Sequence, residues 1–174
     1  ALRKQYKFDA ISLMPTNLYG PGDNYHPQNS HVMASFIRKF YEASIYSLPS
    51  VTCWGTGEPL REFLHVDDLG DAVVFALEKW DPSSNNAPED ENNNKLTILN
   101  VGTGKDISIK ELANKICYLV NYKGKIIWDK NKPNGTPKKL LDIQKIKSLG
   151  WEPKISLDQG IKAAIKSFKI EKYF

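Results

Sequence analysis

The sequence predicts an α/β fold whose sheet is at least partly parallel. Three observations predict it. Short apolar runs of strand length alternate with longer stretches in which apolar residues recur at helical spacing. The runs empty into turns rich in glycine and proline. The chain has 174 residues, 41% hydrophobic and 25% charged, a composition and length that suit a globular chain able to bury one core.

The elements follow in order. Ala10-Ile11-Ser12-Leu13-Met14, closed by Pro15 and followed by Asn17, Gly20, Pro21 and Gly22, reads as a buried strand ending in a loop. In an open parallel sheet, ligands sit at such strand ends. A helix is expected from Ser30 or His31, with Ser30 as cap and Val32, Phe36, Ile37 and Phe40 inward; it should end before Pro49. Val51 to Trp54 gives a second strand, turned by Gly55-Thr56-Gly57, and Glu62 to Val66 a third. Asp67 is placed to cap a helix with the apolar stripe Leu69, Ala72, Val73, Ala76 and Leu77. Asp81 to Lys95 is so polar that it reads as an exposed, mobile loop outside any core. Leu96 to Val101 is a further strand, ended by Gly102-Thr103-Gly104. Ser108 and Glu111 form a capping box ahead of Ile109, Leu112, Ile116, Leu119 and Val120. Ile126 to Trp128 suggests another strand. Two last helices should start at Asp142, ending at Gly150, and at Ser156 with Gln159 as its capping partner.

Composition excludes several functions. No run approaches the roughly 18 to 20 apolar residues that span a bilayer, and residues 1–7 lack the apolar stretch of a signal peptide, so a cytoplasmic protein with no membrane partner is expected. Cys53 and Cys117 lie in apolar contexts without partners at metal-ligand spacing, and read as buried thiols, with no metal site. The net charge of +4 conceals an asymmetry: residues 1–104 carry 8 basic and 13 acidic side chains, residues 105–174 carry 16 and 7. The lysines of the second part are scattered along helices without interleaved aromatics, which argues for solvated faces and against nucleic acid, while leaving a few to meet a smaller anion such as a diphosphate. A complete dinucleotide fingerprint is absent. Gly102-Thr103-Gly104 is the nearest candidate, but the third glycine would fall at Ile107, so a simple turn is expected.

Several strings carry a family resemblance: Pro15-Thr16-Asn17-Leu18-Tyr19-Gly20-Pro21, Asn29-Ser30-His31-Val32, Trp54-Gly55-Thr56-Gly57, Arg61-Glu62-Phe63-Leu64-His65-Val66-Asp67-Asp68, Asn100-Val101-Gly102-Thr103-Gly104 and Gly135-Thr136-Pro137-Lys138-Lys139-Leu140-Leu141-Asp142. In this order they resemble the extended short-chain dehydrogenases, and the second and last strings resemble the GDP-L-fucose synthase branch. The resemblance implies the C-terminal part of such an enzyme: the last Rossmann strands plus the smaller α/β substrate-binding domain. Residues 1–28 would be a remnant Rossmann strand and loop and 29–174 mainly substrate domain, with 96–104 returning to the Rossmann sheet. It further implies NADPH-dependent 3,5-epimerisation and 4-reduction of GDP-4-keto-6-deoxymannose, an isomerase and an oxidoreductase in one, commonly a homodimer. The chain would begin just after the family's catalytic Tyr-x-x-x-Lys helix, leaving NADP held mostly by the part that is missing and the fragment probing as inactive alone. Neither cysteine matches the family's acid/base cysteine.

Site residues follow from the same matches. His31 is implied as the catalytic acid/base, which suits an imidazole's unperturbed proton affinity; a helix N-terminus, carrying partial positive charge, would favour its neutral form. Pro15, Thr16, Asn17, Leu18 and His31 are implied as cofactor-binding, and Lys39, Trp54, Arg61, Asn134 and Lys139 as substrate-binding. His31, Ser35 and Lys39 are spaced by four and share a helix face covering roughly 12 Å, suited to a sugar and its phosphate. Arg61 offers the planar guanidinium that grips a diphosphate bidentately. Trp54, on periodicity alone, also reads as a core aromatic, and Lys39 as a solvated charge. Asn134 stands where the family more often has aspartate. His26 and His65 are read as structural. The alternatives are another nucleotide-sugar epimerase or dehydratase, and a nucleotide-sugar-binding module without chemistry.

Overall fold

The computed structural model describes residues 2–171. Its organising element is β4 (Leu60–His65), which lies between two hydrophobic cores where composition suggests one. Successive side chains on a strand point to opposite faces. Phe63 accordingly enters one core and Leu64 the other. The short β2 (Asn17–Tyr19) pairs with β4 in parallel and splits the same way, Tyr19 to the first core and Leu18 to the second.

The first core packs α2 (Val32–Ile45), α4 (Ile109–Leu119) and α6 (Leu157–Glu171) against the parallel pair β3 (Ser50–Trp54) and β7 (Lys125–Asp129). Phe36, Phe40, Leu112, Ile116 and Ile161 are its buried centre. The second packs α3 (Val66–Lys79) and α5 (Gln144–Ser148) with the parallel pair β1 (Ser12–Pro15) and β5 (Ile98–Val101), through Ala72, Ala76, Leu99, Ile146 and Trp151. Two further partners of β4 complete its sheet: β6 (Asp106–Ser108), antiparallel, and β8 (Lys138–Lys139), parallel. The fold is therefore α/β, and among the described residues the pairing is parallel except at β6 and at an isolated Glu89–Lys95 bridge. The helix α1 (Leu2–Tyr6), β6 and β8 are elements the sequence patterns do not announce.

Several expectations need correction. β1 is not a buried strand: it pairs with β5 alone, and Met14 is 54% exposed while Leu13 packs on the second core. His31, not Ser30, is the N-cap of α2, and its side chain makes no capping bond. His65, not Asp67, caps α3: its backbone is still extended, and its Nδ1 accepts from the Asp67 N–H at 3.2 Å. Asp67 then lies inside the first turn, where a carboxylate meets the positive end of the helix. Of the α3 stripe, Ala72 and Ala76 are buried, whereas Val73 and Leu77 are 40% and 73% exposed. The 81–95 loop does reach the interior, because Pro82, Ala87 and Pro88 are buried and Lys95 ties it together through Asn85 O, Ala87 O and Glu89. α5 begins at Gln144 with Ile143 as cap residue, although Asp142 Oδ1 accepts from the Gln144 N–H.

Other signals translate directly. The Ser108–Glu111 box closes in both directions, and Ser156 with Gln159 does the same at α6. Gly150 ends α5 at φ +105°, a conformation that favours glycine. Cys53 is buried and Cys117 half-buried, both unpaired; burial pushes their thiols up to about 11 and about 12.

Candidate functional site

Four of the five substrate-side residues converge on one edge of the β4 sheet. β3 delivers Trp54 and then turns at Gly55-Thr56-Gly57, where both glycines hold positive φ (+76° and +77°) that other residues avoid. Asn134 comes from 78 residues away to lock that turn: its Oδ1 accepts the Thr56 N–H at 2.7 Å and the Thr56 hydroxyl at 3.2 Å. A Cβ on Gly55 would lie 2.3 Å from that oxygen, so the turn and the amide fit only with glycine there. One residue on, Gly135 stands beside Arg61, whose Nη2 is 3.4 Å from where its Cβ would be. The chain then enters β8, in which Lys139 is the register partner of Arg61, and both cations leave the sheet on one side.

This face is open. Trp54 is 64% exposed, Asn134 and Lys139 are exposed, and Lys132 Nζ sits 5.4 Å above the indole ring in a cation–π contact. Trp54 is thus a surface aromatic and not a core one. Lys39 reaches the same strand from α2: its charge partly offsets the effect of burial on the Cys53 thiol, next to Trp54. His31 sits exposed at the start of α2, and no hydrogen bond of its side chain joins it to the others. A cavity of about 1060 Å³ lies between Phe63, Ile107 and Tyr118 and the 153–158 segment, and none of the implied site residues lines it.

The cofactor-side residues meet the same strand from the opposite direction. Asn17 pairs with Phe63, its Nδ2 donates to Glu62 O at 2.8 Å, and Thr16 Oγ1 donates to the same carbonyl at 3.3 Å. Pro15 ends the exposed β1 and Leu18 turns into the second core. A dinucleotide needs a cradle of free backbone amides for its pyrophosphate. In both Gly-Thr-Gly turns two amides already have partners within the chain. Thr56 N–H serves Asn134 and Gly55 N–H serves Asp129 O, while Thr103 and Gly104 donate to Glu62 Oε1 at 2.6 and 2.7 Å. Among the described residues the strand end at 15–18 fits an edge contact with a cofactor and not its pyrophosphate. No group of three or more His, Cys, Asp or Glu residues suited to a metal occurs among the described residues. His65 is 3% exposed, its Nδ1 accepting the Asp67 N–H while its buried Nε2 has no hydrogen-bond partner, and His26 Nδ1 accepts the Gln28 N–H.

Sequence reasoning missed Thr56, Lys132 and Glu62. The first two carry no signal beyond proximity to Trp54 and Asn134. Glu62 had one: an acidic residue inside a strand whose neighbours Phe63 and Leu64 are buried must find donors.

The sequence model of the NAD dependent epimerase/dehydratase family matches residues 1–100. The chain belongs to this family. Within the epimerase/dehydratase family it is 50% identical over 161 residues to Probable GDP-L-fucose synthase 1 of Oryza sativa subsp. japonica, a match covering 92% of the chain and 45% of that protein. It is 46% identical over 169 residues to GDP-L-fucose synthase of Escherichia coli (strain K12), covering 95% and 50%. The chain thus spans about half the length of the curated relatives it matches. Among solved structures it resembles a GDP-6-OMe-4-keto-L-xylo-heptose reductase from Campylobacter jejuni, with TM-score 0.86 and 31% identity over 98% of this chain and 56% of that one. It also resembles a GDP-L-fucose synthetase from Naegleria fowleri bound to NADP, with TM-score 0.78 and 25% identity over 94% and 47%. Homologues of this epimerase/dehydratase chain are enzymes, and no helix among its described residues is long and apolar enough to cross a membrane.

Proposed function

We propose that this chain supplies the nucleotide-sugar-binding part of an NADP-dependent enzyme that epimerises GDP-4-keto-6-deoxymannose at carbons 3 and 5 and reduces it at carbon 4. The observation that carries the reading is the docking of residues 134–139 onto β4 and the β3 turn, which sets Lys139 beside Arg61 and Asn134 beside Trp54. Two cations with one bidentate fork suit a diphosphate, and an exposed indole suits the face of a sugar or base. Relatives named GDP-L-fucose synthase support the guanine nucleotide.

Carbons 3 and 5 flank the ketone, which acidifies their hydrogens; His31 takes and returns a proton there, and Lys39, two turns along α2, faces the phosphate end. Bound NADPH would supply hydride to carbon 4. The residues at 15–18 touch its nicotinamide half from the strand end. Residues 1–28 and 96–104 form the dinucleotide-domain side, around the second core, and the rest forms mainly the substrate side. The complete enzyme works as a homodimer in the cytoplasm.

Calorimetric titration of the 174-residue protein with GDP and with NADPH tests the division of labour. Measurable GDP binding with negligible NADPH binding is expected. NADPH binding without GDP binding refutes the assignment.

A further inference from the structure

Glu62 is fully buried, and every atom it offers as an acceptor is in use. Oε1 accepts from the Thr103 and Gly104 amides at 2.6 and 2.7 Å, and Oε2 from the Leu141 amide at 2.9 Å. These donors lie 41, 42 and 79 residues away in sequence. The backbone carbonyl of the same residue holds Asn17 and Thr16. The fit admits no slack: a Cβ on Gly102 would come within 2.3 Å of Oε1. Arg61 precedes this residue directly, and Lys139 lies two residues before Leu141.

Besides the Asn134–Thr56 bonds that precede it, the Lys138–Asp106 ion pair at 3.3 Å and the packing of Leu141 on the second core, the segment bearing Lys139 has only short backbone pairing to set its register. β8 is two residues long, pairing Lys138 with Leu60 and Lys139 with Arg61, with one more backbone bond from Leu60 N to Pro137 O at 2.8 Å. Strands that short are marginal. The Oε2 bond to Leu141 extends the attachment beyond the strand, from a side chain that the Gly102 turn itself fixes in place. An ionised carboxylate is the group this needs, since it accepts on both oxygens and donates on neither.

We propose that Glu62 is a positioning residue for nucleotide-sugar binding: its two oxygens clamp the 138–141 segment and the Gly102-Thr103-Gly104 turn to β4, and so fix the spacing of Arg61 and Lys139. This rests on the binding function argued above. The backbone carbonyl of the same residue also receives the strand end at 16–17.

Glu62→Gln keeps the shape but points an N–H₂ at one set of amides, donor against donor. The variant is expected to fold, to bind GDP about ten- to hundredfold more weakly, the scale on which hydrogen bonds to charged groups count, and to exchange the Leu141 amide and those of 138–139 faster without nucleotide. Gly102→Ala displaces the carboxylate without altering Glu62 and should act in the same direction; it decides the matter should Glu62→Gln not fold. The double variant should be no weaker than the poorer single one, because both act through one clamp. Wild-type GDP affinity and unchanged exchange at 138–141 in a folded variant overturn the proposal, and so does a loss of thermal stability with wild-type affinity, which would leave Glu62 a structural residue only. If the wild-type protein binds no GDP, the binding function fails and the positioning role with it, while unaltered exchange data separately refute the clamp.

Discussion

Removing the Asn134 side chain tests whether the β3 turn is held from outside. Asn134→Ala deletes the bond from the Thr56 N–H at 2.7 Å and one of the two acceptors within reach of the Thr56 hydroxyl proton, Asn134 Oδ1 at 3.2 Å against Glu58 Oε2 at 3.1 Å. A neutral hydrogen bond contributes about 0.5–1.5 kcal/mol net. The second bond is long and the site exposed, so the pair is worth about 1–2 kcal/mol. For a domain of this size that corresponds to a drop in melting temperature of about 3–6 °C. The turn carries Trp54, so loosening it should weaken GDP binding about three- to tenfold as the indole loses its fixed place. Asn134→Asp provides the control. A carboxylate accepts the backbone bond with charge assistance, offset by the Glu58 carboxylate on the same Thr56 hydroxyl, so stability and affinity should stay near wild type. Differential scanning fluorimetry and calorimetric GDP titration measure both quantities. The reasoning is refuted if Asn134→Ala melts and binds like wild type, or if Asn134→Asp is as damaging as the alanine.

Acid should destabilise the protein within a narrow window. The Lys154 ammonium and then the Trp151 N–H hydrogen-bond the Asp71 carboxylate and hold it below the usual carboxylate range, so the unfolded chain binds more protons as pH falls. This stability is fully present above about pH 4, where the unfolded carboxylate titrates, and is lost below it. Thermal melts should be level from about pH 5 to 7 and fall below about pH 4, with a shallower fall in Asp71→Asn; an identical acid slope in that variant would remove Asp71 from the account. In an enzyme of full family length, His31→Ala should abolish exchange of the sugar's carbon-3 and carbon-5 hydrogens with deuterated water, read by NMR, and undiminished exchange would remove His31 from the chemistry.

The architecture was legible where its causes are local. The helical stripes of α2 and α4 and the Ser108–Glu111 and Ser156–Gln159 boxes are set by residues three and four apart, and all four formed as read. Caps misread by one or two positions, Ser30 for His31 and Asp67 for His65, show what residue type alone cannot decide: the capping atom is whichever one the backbone aims at the free amides. The 81–95 loop failed differently. Its apolar content is two prolines and one alanine, too little to register as hydrophobic pattern, yet enough to bury once Lys95 folds the loop back on itself. Arg61, Asn134 and Lys139 were found through their likeness to a family and not through spacing, because 73 residues separate Arg61 from Asn134 and only the β4–β8 pairing makes them neighbours. That pairing involves two residues, below the length at which a strand leaves a mark on the sequence.

The two Gly-Thr-Gly turns bear on how the proposed diphosphate would be held. Such turns are good at presenting backbone amides to phosphate, and each has instead been filled by a side chain from its own chain, Asn134 at 55–57 and Glu62 at 102–104. A Cβ on Gly55 or Gly102 would come within 2.3 Å of the accepting oxygen, so each glycine leaves the room its occupant fills. Two amides of each turn are therefore engaged within the chain, and the side-chain cations at this edge are Arg61 and Lys139, register partners across β4 and β8, beside the Glu58 carboxylate that accepts from Thr56. The filled turns are not wasted donors. They hold rigid the two loops between which the guanidinium and ammonium groups are spaced, and a bidentate contact depends on that spacing more than on one additional amide.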